Sequence, residues 1–211
     1  MADSVPPGAR GRWAHTDRGL GVFVLAGGQS RRLGVDKRFL EIDGQPLLRA
    51  IFDRWRDWHP VLLGGPVPTW VWPGPQWLDP AAGLGPARAL AMALRRWGRD
   101  AWFLSADVPW LPSDVLGHVA RRCGGSACGW DAHVFRVGQW FIPVGWVHPT
   151  ALQPRPSASF QQWWQVVRCE VLDPSAFSSD DVPWWQDLDT PADLRFWRRY
   201  WLRRGHILQA L

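Results

Sequence analysis

The sequence predicts an α/β fold with a mostly parallel central sheet between layers of helices. Three observations carry this. Short apolar runs of strand length recur at residues 20–25, 61–63 and 101–104. Segments with helical apolar spacing stand between them. Glycine, proline and aspartate punctuate the junctions, the alternation expected of strand–helix–strand units. In such sheets ligands sit beyond the carboxyl ends of the strands.

Residues 1–18, with Pro6, Pro7, Gly8 and Gly11, read as a flexible tail, and 19–211 as one domain. The run 20–25 ends at Gly27-Gly28 and reads as a buried strand followed by a turn. Residues 39–44 alternate and close on Asp43-Gly44, as a short strand and bend do. Pro46 opens a helix in its first turn, where a missing N–H costs nothing. Leu47, Leu48, Ile51, Phe52 and Trp55 follow at helical spacing, and Trp58-His59-Pro60 stops it. The strand at 61–63 leads into 64–77, where Pro66, Pro68, Pro73 and Pro75 predict a loop. From Pro86 to Trp97 a helix presents Ala89, Leu90, Ala93, Leu94 and Trp97 on one face. The strand at 101–104 ends on Ser105-Ala106-Asp107, and Ser113 is placed to cap a helix running to about Arg122. Residues 132–135 and 141–147 read as strands around a turn at Gly138, 157–167 as a helix and 169–172 as a strand. Thr190 caps a last helix, with Pro191 at its first position, Asp193 in its first turn, and Leu194, Trp197 and Trp201 inward.

Composition narrows the function classes. A chain of 211 residues with 46% apolar content suits one domain with a sizeable core. The net charge is +5. The arginines are scattered over apparent solvent faces and last helical turns, so nucleic acid is not indicated as a partner. Cys123, Cys128 and Cys169 form neither a disulfide framework nor a C-x-x-C metal site. No apolar run approaches the roughly 20 residues of a membrane span, and the N-terminus lacks the apolar stretch of a signal peptide. The expectation is a cytoplasmic protein. His15, His59, His118, His133, His148 and His206 show no ligand spacing, and Ser30 has no histidine base nearby in sequence, so a serine-type hydrolase is unsupported. Eighteen tryptophans, no asparagine and two glutamates (Glu41, Glu170) reflect compositional bias.

Against that background one residue stands apart. Lys37 is the only lysine among 24 basic side chains, the rest being arginine. Lysine is a compact point charge, arginine a planar fork. Lys37 ends the string Leu25-Ala-Gly-Gly-Gln-Ser-Arg-Arg-Leu-Gly-Val-Asp-Lys37. Gly27 and Gly28 allow close backbone approach, consecutive N–H groups there can cradle phosphate oxygens, and Arg31, Arg32 and Lys37 add positive charge. The string is neither the dinucleotide fingerprint G-x-G-x-x-G nor a Walker A loop. Asp107 directly follows a buried strand, a position that suits a turn residue as well as a Mg²⁺ ligand working with substrate phosphates. Asp187 and Asp189 alternate along an extended segment and point the same way, though Thr190-Pro191 is also simply a good helix start. Asp79 lies at a strand end before Gly83-Leu84-Gly85-Pro86.

These strings together carry a resemblance. Residues 25–37 resemble the signature loop of the molybdenum cofactor guanylyltransferases of the MobA type, within the wider nucleotidyltransferases of Rossmann-like fold. Asp107-Val-Pro-Trp-Leu111 resembles the family's Asp-Met-Pro-Phe-Leu segment, Gly85-Pro86 the start of its Gly-Pro-Leu-Ala-Gly helix, and residues 187–194 its Asn-x-Asn-Thr-Pro-Glu-Asp-Leu segment. Ala87-Arg88-Ala89 stands where the family has Leu-Ala-Gly, and Gly64-Gly65 where it has an asparagine. The resemblance implies a Rossmann-like three-layer α/β/α domain of nucleotidyltransferase type. It implies a Mg²⁺-dependent transfer of GMP from GTP to molybdopterin cofactor, with release of pyrophosphate. Leu25, Ala26, Gly27 and Gly28 would contact the nucleotide, Arg32 and Lys37 the triphosphate, and Asp79 guanine or ribose. Asp107 would contact nucleotide and bind Mg²⁺, with Arg32, Lys37 and Asp107 carrying the catalysis. Asp187 and Asp189 fall where the family has asparagines near the acceptor, and aspartate there resembles sugar-nucleotide transferases, in which a second aspartate helps hold the metal; Asp189 is that metal candidate. GTP and molybdopterin are the implied small-molecule partners, with molybdoenzymes or cofactor-delivery proteins beyond them, and neither nucleic acid nor membrane. The alternatives are transfer from CTP, a sugar or small-alcohol phosphate as acceptor, or a nucleotide-binding protein without catalysis.

Overall fold

The computed structural model describes residues 21–27, 30, 32–78, 85–112, 115–117, 119, 129–157, 159–177, 184–203 and 208–209. The tail expected at 1–18 lies outside them, as do Gly28, Asp79, Ser113, Cys123 and Cys128. In chain order the strands are β1 (Gly21–Leu25), β2 (Glu41–Ile42), β3 (Gln45–Pro46), β4 (Val61–Gly64), β5 (Gln76–Leu78), β6 (Ala101–Ser105), β7 (Ala132–Val137), β8 (Trp140–Val147), β9 (Cys169–Leu172) and β10 (Leu208–Gln209). The helices are α1 (Leu47–Trp55), α2 (Pro86–Trp97), α3 (Phe160–Trp163) and α4 (Pro191–Arg203). Residues 115–117 and 119 are also helical, inside the segment expected from Ser113 to Arg122.

The main sheet has the order β5-β4-β1-β6-β8-β7-β9. β8 runs antiparallel to both its neighbours, β6 and β7. The other pairings are parallel. Residues along β1 alternate between two cores. Val22 and Val24 pack with Ile51 and Trp55 of α1 and Trp197 of α4. Phe23 and Leu25 pack with Leu90 and Leu94 of α2 and Trp163 of α3. The period-two alternation of a strand thus feeds a helical layer on each face, giving the three-layer α/β/α arrangement.

Local chemistry explains the boundaries. α2 starts with Pro86 at its first position and stops at Gly98, whose φ of 70° and N–H to Leu94 O (2.8 Å) make a left-handed cap. β2 and β3 are joined by Asp43 (φ 53°) and Gly44 (φ 73°), the paired positive φ of a type I′ hairpin. β10 pairs with β2 and completes a second, three-stranded sheet. Pro46 is the residue before α1, with φ −55° and ψ 141°, and so precedes the helix instead of opening it. Phe39 belongs to a 3-10 turn, Lys37–Phe39, ahead of the strand.

Two further expectations are corrected. The segment 64–77 is not loop throughout, because β5 begins at Gln76 and pairs with β4 through Leu62↔Gln76 and Leu63↔Trp77. An edge strand of three residues has no alternation to show, and Pro75 just before it is tolerated because β5 has a neighbour on one side only. The helix expected over 157–167 is confined to Phe160–Trp163, capped by Ser159 accepting from Gln161 N at 3.1 Å. The stack of Phe160, Trp163 and Trp164 on Phe103 and the Gln161 amide, which bonds Phe141 N and O, hold this segment to the sheet.

One glycine is dictated by close approach. Gly64, at the end of β4, has φ 151°, and a Cβ there would lie 2.9 Å from Gly27 N and 3.0 Å from the Ala26 carbonyl carbon. Both neighbours are backbone and cannot swing aside. Gly64→Ala is expected to destabilise the protein by about 1–3 kcal/mol, the usual cost of overpacking, read as a lower midpoint in chemical denaturation; an unchanged midpoint would mean the loop after β1 is not packed on β4.

Candidate active site

The site forms beyond the carboxyl end of β1. Leu25 and Ala26 are buried. The Leu25 carbonyl accepts from Ala106 N (2.9 Å) and Ala26 N–H donates to Leu63 O (2.9 Å), which ties the strand end to β6 on one side and β4 on the other. Gly27 is exposed, and a Cβ on it would meet nothing within 4 Å. The chain then turns back at Ser30, whose φ is 44°. The Ser30 carbonyl accepts from Leu33 N (3.0 Å) and Gly34 N (3.2 Å), and its hydroxyl oxygen accepts from Lys37 N (3.2 Å). One residue therefore holds the returning half of the loop through to Lys37.

Lys37 is buried, with 7% of its surface exposed. Its Nζ lies 2.5 Å from Asp107 Oδ1 and 2.6 Å from Asp189 Oδ1. Arg32 Nη2 reaches Asp189 Oδ2 at 2.5 Å from the solvent side. The expected residues Arg32, Lys37, Asp107 and Asp189 are thus in direct contact, although up to 157 residues separate them in sequence. Gly28 and Asp79 lie outside the described residues.

The second aspartate segment is held by main chain. Leu188 N–H donates to Asp107 O at 2.9 Å, so Asp187 and Asp189 flank the strand end that carries Asp107. The Asp193 carboxylate accepts from Asp189 N (3.2 Å), Thr190 N (2.8 Å), Thr190 Oγ1 (2.7 Å) and Gln186 Nε2 (3.2 Å), while Asp193 N–H donates to Thr190 Oγ1 (3.2 Å). This is a reciprocal capping box. Asp193 is a positioning residue whose wider grip sequence reasoning missed, although Thr190-x-x-Asp193 signals it.

Sequence reasoning also passed over Arg38. Asp36 caps the 3-10 turn by accepting from Arg38 N (3.1 Å), and its carboxylate takes the guanidinium through Nε (3.0 Å) and Nη2 (2.6 Å). Desolvation pushes the Asp36 carboxyl up, but the Arg38 hydrogen bonds and charge outweigh it and hold its pKa below the usual value.

The electrostatics of the cluster are uneven. Burial alone would depress the Lys37 ammonium, but Asp107 and then Asp189 outweigh it, and its pKa is raised. Asp107 is pushed up, by burial first, against the pull of Lys37. Asp187 is pushed up to about 6, by desolvation first and then by Asp189, Asp107 and Asp193. Three carboxylates therefore meet one buried ammonium and one peripheral guanidinium, a surplus of negative charge at a strand end. Among the described residues no group of three or more His, Cys, Asp and Glu is arranged to cage a metal ion unaided. His59, His133 and His148 stand at the other end of the sheet: His59 precedes β4, His133 is the second residue of β7, and His148 follows the antiparallel β8. His133 is buried there, 2.7 Å from Glu170, and His148 faces Asp100. His15, His118 and His206 lie outside the described residues.

A carboxyl whose folded pKa exceeds its unfolded value favours the native state while protonated. The stabilisation from Asp187 is present below the ordinary carboxylate value of 3.8 and is lost as pH rises through about 6. In metal-free protein, Asp187→Asn is expected to raise the melting temperature above wild type at pH 7.5, with the difference closing toward pH 3.8. Equal melting curves at both pH values would show that neither burial nor the neighbouring carboxylates raise the Asp187 carboxyl.

Comparison with known proteins gives a consistent answer. The profile of the MobA-like NTP transferase domain matches residues 22–172. A probable molybdenum cofactor guanylyltransferase of Synechococcus elongatus is 30% identical over 205 residues, covering 82% of this chain and 94% of that protein. In fold, the chain is similar to the molybdopterin-guanine dinucleotide biosynthesis protein A of Archaeoglobus fulgidus (TM-score 0.71, 18% identity, 87% of this chain and 99% of that one). It is also similar to Rv0371c of Mycobacterium tuberculosis H37Rv in complex with manganese (TM-score 0.56, 19% identity, 84% and 96%). With its mostly parallel sheet, glycine loop and matching profile, the chain belongs to the MobA-like NTP transferase family and is a nucleotidyltransferase.

Proposed function

We propose that the chain transfers GMP from GTP to the phosphate of molybdopterin cofactor, releasing pyrophosphate, with Mg²⁺ as the divalent ion. The observation that carries this is the buried Lys37 ammonium shared by Asp107 and Asp189 at the mouth of the glycine loop. The profile match and the names of the relatives supply the substrate class.

The donor set fits Mg²⁺. This ion takes one or two carboxylates together with substrate phosphates and water. Asp107 and Asp189 offer oxygens about one shared cation position, and Asp187 is pushed up beside them. When bound, the ion would neutralise the α-phosphate and orient it for attack.

The chain's own residues do the rest. The Ala26 N–H is taken by Leu63 O, so the main-chain donors for phosphate begin at Gly27, where there is open space. Lys37 and Arg32 hold the β- and γ-phosphates and stabilise the charge that develops on pyrophosphate. The acceptor phosphate attacks the α-phosphorus as the bond to the bridging oxygen breaks, and the electron pair leaves with pyrophosphate. A phosphate monoester has its second pKa near 6 and is already largely ionised at neutral pH. No general base is needed, which agrees with the described histidines lying at the far end of the sheet. Positioning and charge neutralisation then account for the rate.

A sugar or small-alcohol phosphate as acceptor is the second reading. The aspartates at 187 and 189 favour it, since carboxylates suit a hydroxyl-rich acceptor better than an anionic pterin.

Incubation with Mg²⁺, molybdopterin-loaded material and each of GTP, CTP, ATP and UTP tests the proposal. Pyrophosphate release and GMP recovered from the product with GTP alone support it; transfer only to sugar phosphates supports the second reading. Lys37→Ala is expected to slow turnover by about 10²–10³-fold, the usual effect of removing one such donor, with the far-ultraviolet circular dichroism retained. Wild-type turnover in that variant removes Lys37 from the phosphate site. Asp107→Ala is expected to abolish Mg²⁺-dependent nucleotide binding; binding that still responds to Mg²⁺ removes it from the metal site.

A further inference from the structure

Lys37 and Arg38 are neighbours that reach to opposite flanks of β1. Lys37 turns toward the end of β6, where Asp107 lies. Arg38 turns toward the end of β4. Its Nη1 stands 3.2 Å from where a Cβ on Gly65 would be, and Gly65 directly follows β4. The guanidinium is also fixed in orientation, with the Asp36 carboxylate along its Nε–Nη2 edge and the Phe39 ring 5.7 Å away.

Two properties follow. An arginine has five N–H donors, and Asp36 takes one from Nε and one from Nη2, so three remain, two of them side by side at the Nη1–Nη2 end of the fork. The Asp36–Arg38 pair is also charge-neutral. It has no net charge to offer a polyanion, yet keeps directional donors. Such a group suits a neutral ligand with two adjacent acceptors. With the phosphates on the Lys37 side of β1, as in the proposed function, a nucleoside reaching across to the β4 side would meet those donors.

Resting on that reading, we infer that Arg38 is the nucleobase-reading residue and selects a 6-oxopurine. The O6 and N7 atoms of guanine or hypoxanthine are two acceptors side by side, matching the fork; adenine presents N7 beside an N6–H₂ donor, which opposes it. Glycine at 65 is part of the device, because any side chain there would press on Nη1.

The test is calorimetric binding of GTP, inosine triphosphate and ATP with Mg²⁺, which needs no acceptor. Wild type is expected to prefer GTP and inosine triphosphate over ATP by about 10–100-fold, the discrimination of one bidentate pair. Arg38→Met is expected to bring both down to the level of ATP while ATP binding stays the same. Gly65→Ala, which leaves Arg38 and Asp36 in place, is expected to shift preference in the same direction, and it keeps the inference testable if Arg38→Met fails to fold. Equal losses for GTP and ATP, or a preference that survives in the variants, overturn the assignment. Wild type that binds triphosphates without preferring oxopurines sinks this inference alone; wild type that binds none sinks the nucleotidyl-transfer reading with it.

Discussion

The site is organised around one buried ammonium between two carboxylates. Lys37 has almost no contact with water, and Asp107 and Asp189 compensate it at 2.5 and 2.6 Å. An unpaired charge at that depth would be costly, and so would two facing carboxylates without it. Each member therefore requires the others. The three come from a loop after β1, the end of β6 and the start of α4, so the contact joins distant parts of the chain at the sheet's carboxyl edge.

The fold supplies this geometry through backbone rather than side chains. The turn at Ser30 sends the chain back so that Lys37 faces inward, Leu188 N–H docks the acidic segment on Asp107 O, and Asp193 ties that segment to the first turn of α4. Gly64 lets β4 lie against the loop on the opposite flank. The surplus of negative charge is thereby held in place by main-chain contacts.

Legibility from sequence followed the strength of local signals. Helix α2 was plain because Pro86 and Gly98 mark its ends and its apolar face repeats at helical spacing. The buried strands β1, β4 and β6 were plain as short apolar runs. β5 was hidden because three residues after a proline carry no period. The helix near Ser159 was overextended because Phe160, Trp163 and Trp164 have helical spacing but serve an aromatic stack. Within the site, Lys37, Asp107 and Asp189 stood out by residue type and setting, Lys37 as the lone lysine and Asp107 by following a buried run. Their pairing could not be read, since it depends on tertiary approach across 70 and 152 residues. Arg38 went unnoticed because one arginine of 23 carries no compositional signal, and only its grip on Asp36 and closeness to Gly65 set it apart.

The solitary lysine has a practical side. The chain has one ε-amino group, and it is sheltered within the carboxylate cluster. Reagents that acylate primary amines thus have no surface lysine to consume them, and apart from the α-amino terminus their one target is this pocket. Their uptake becomes a clean gauge of how often the cluster opens and of whether a bound molecule covers it, with no need to engineer competing lysines away.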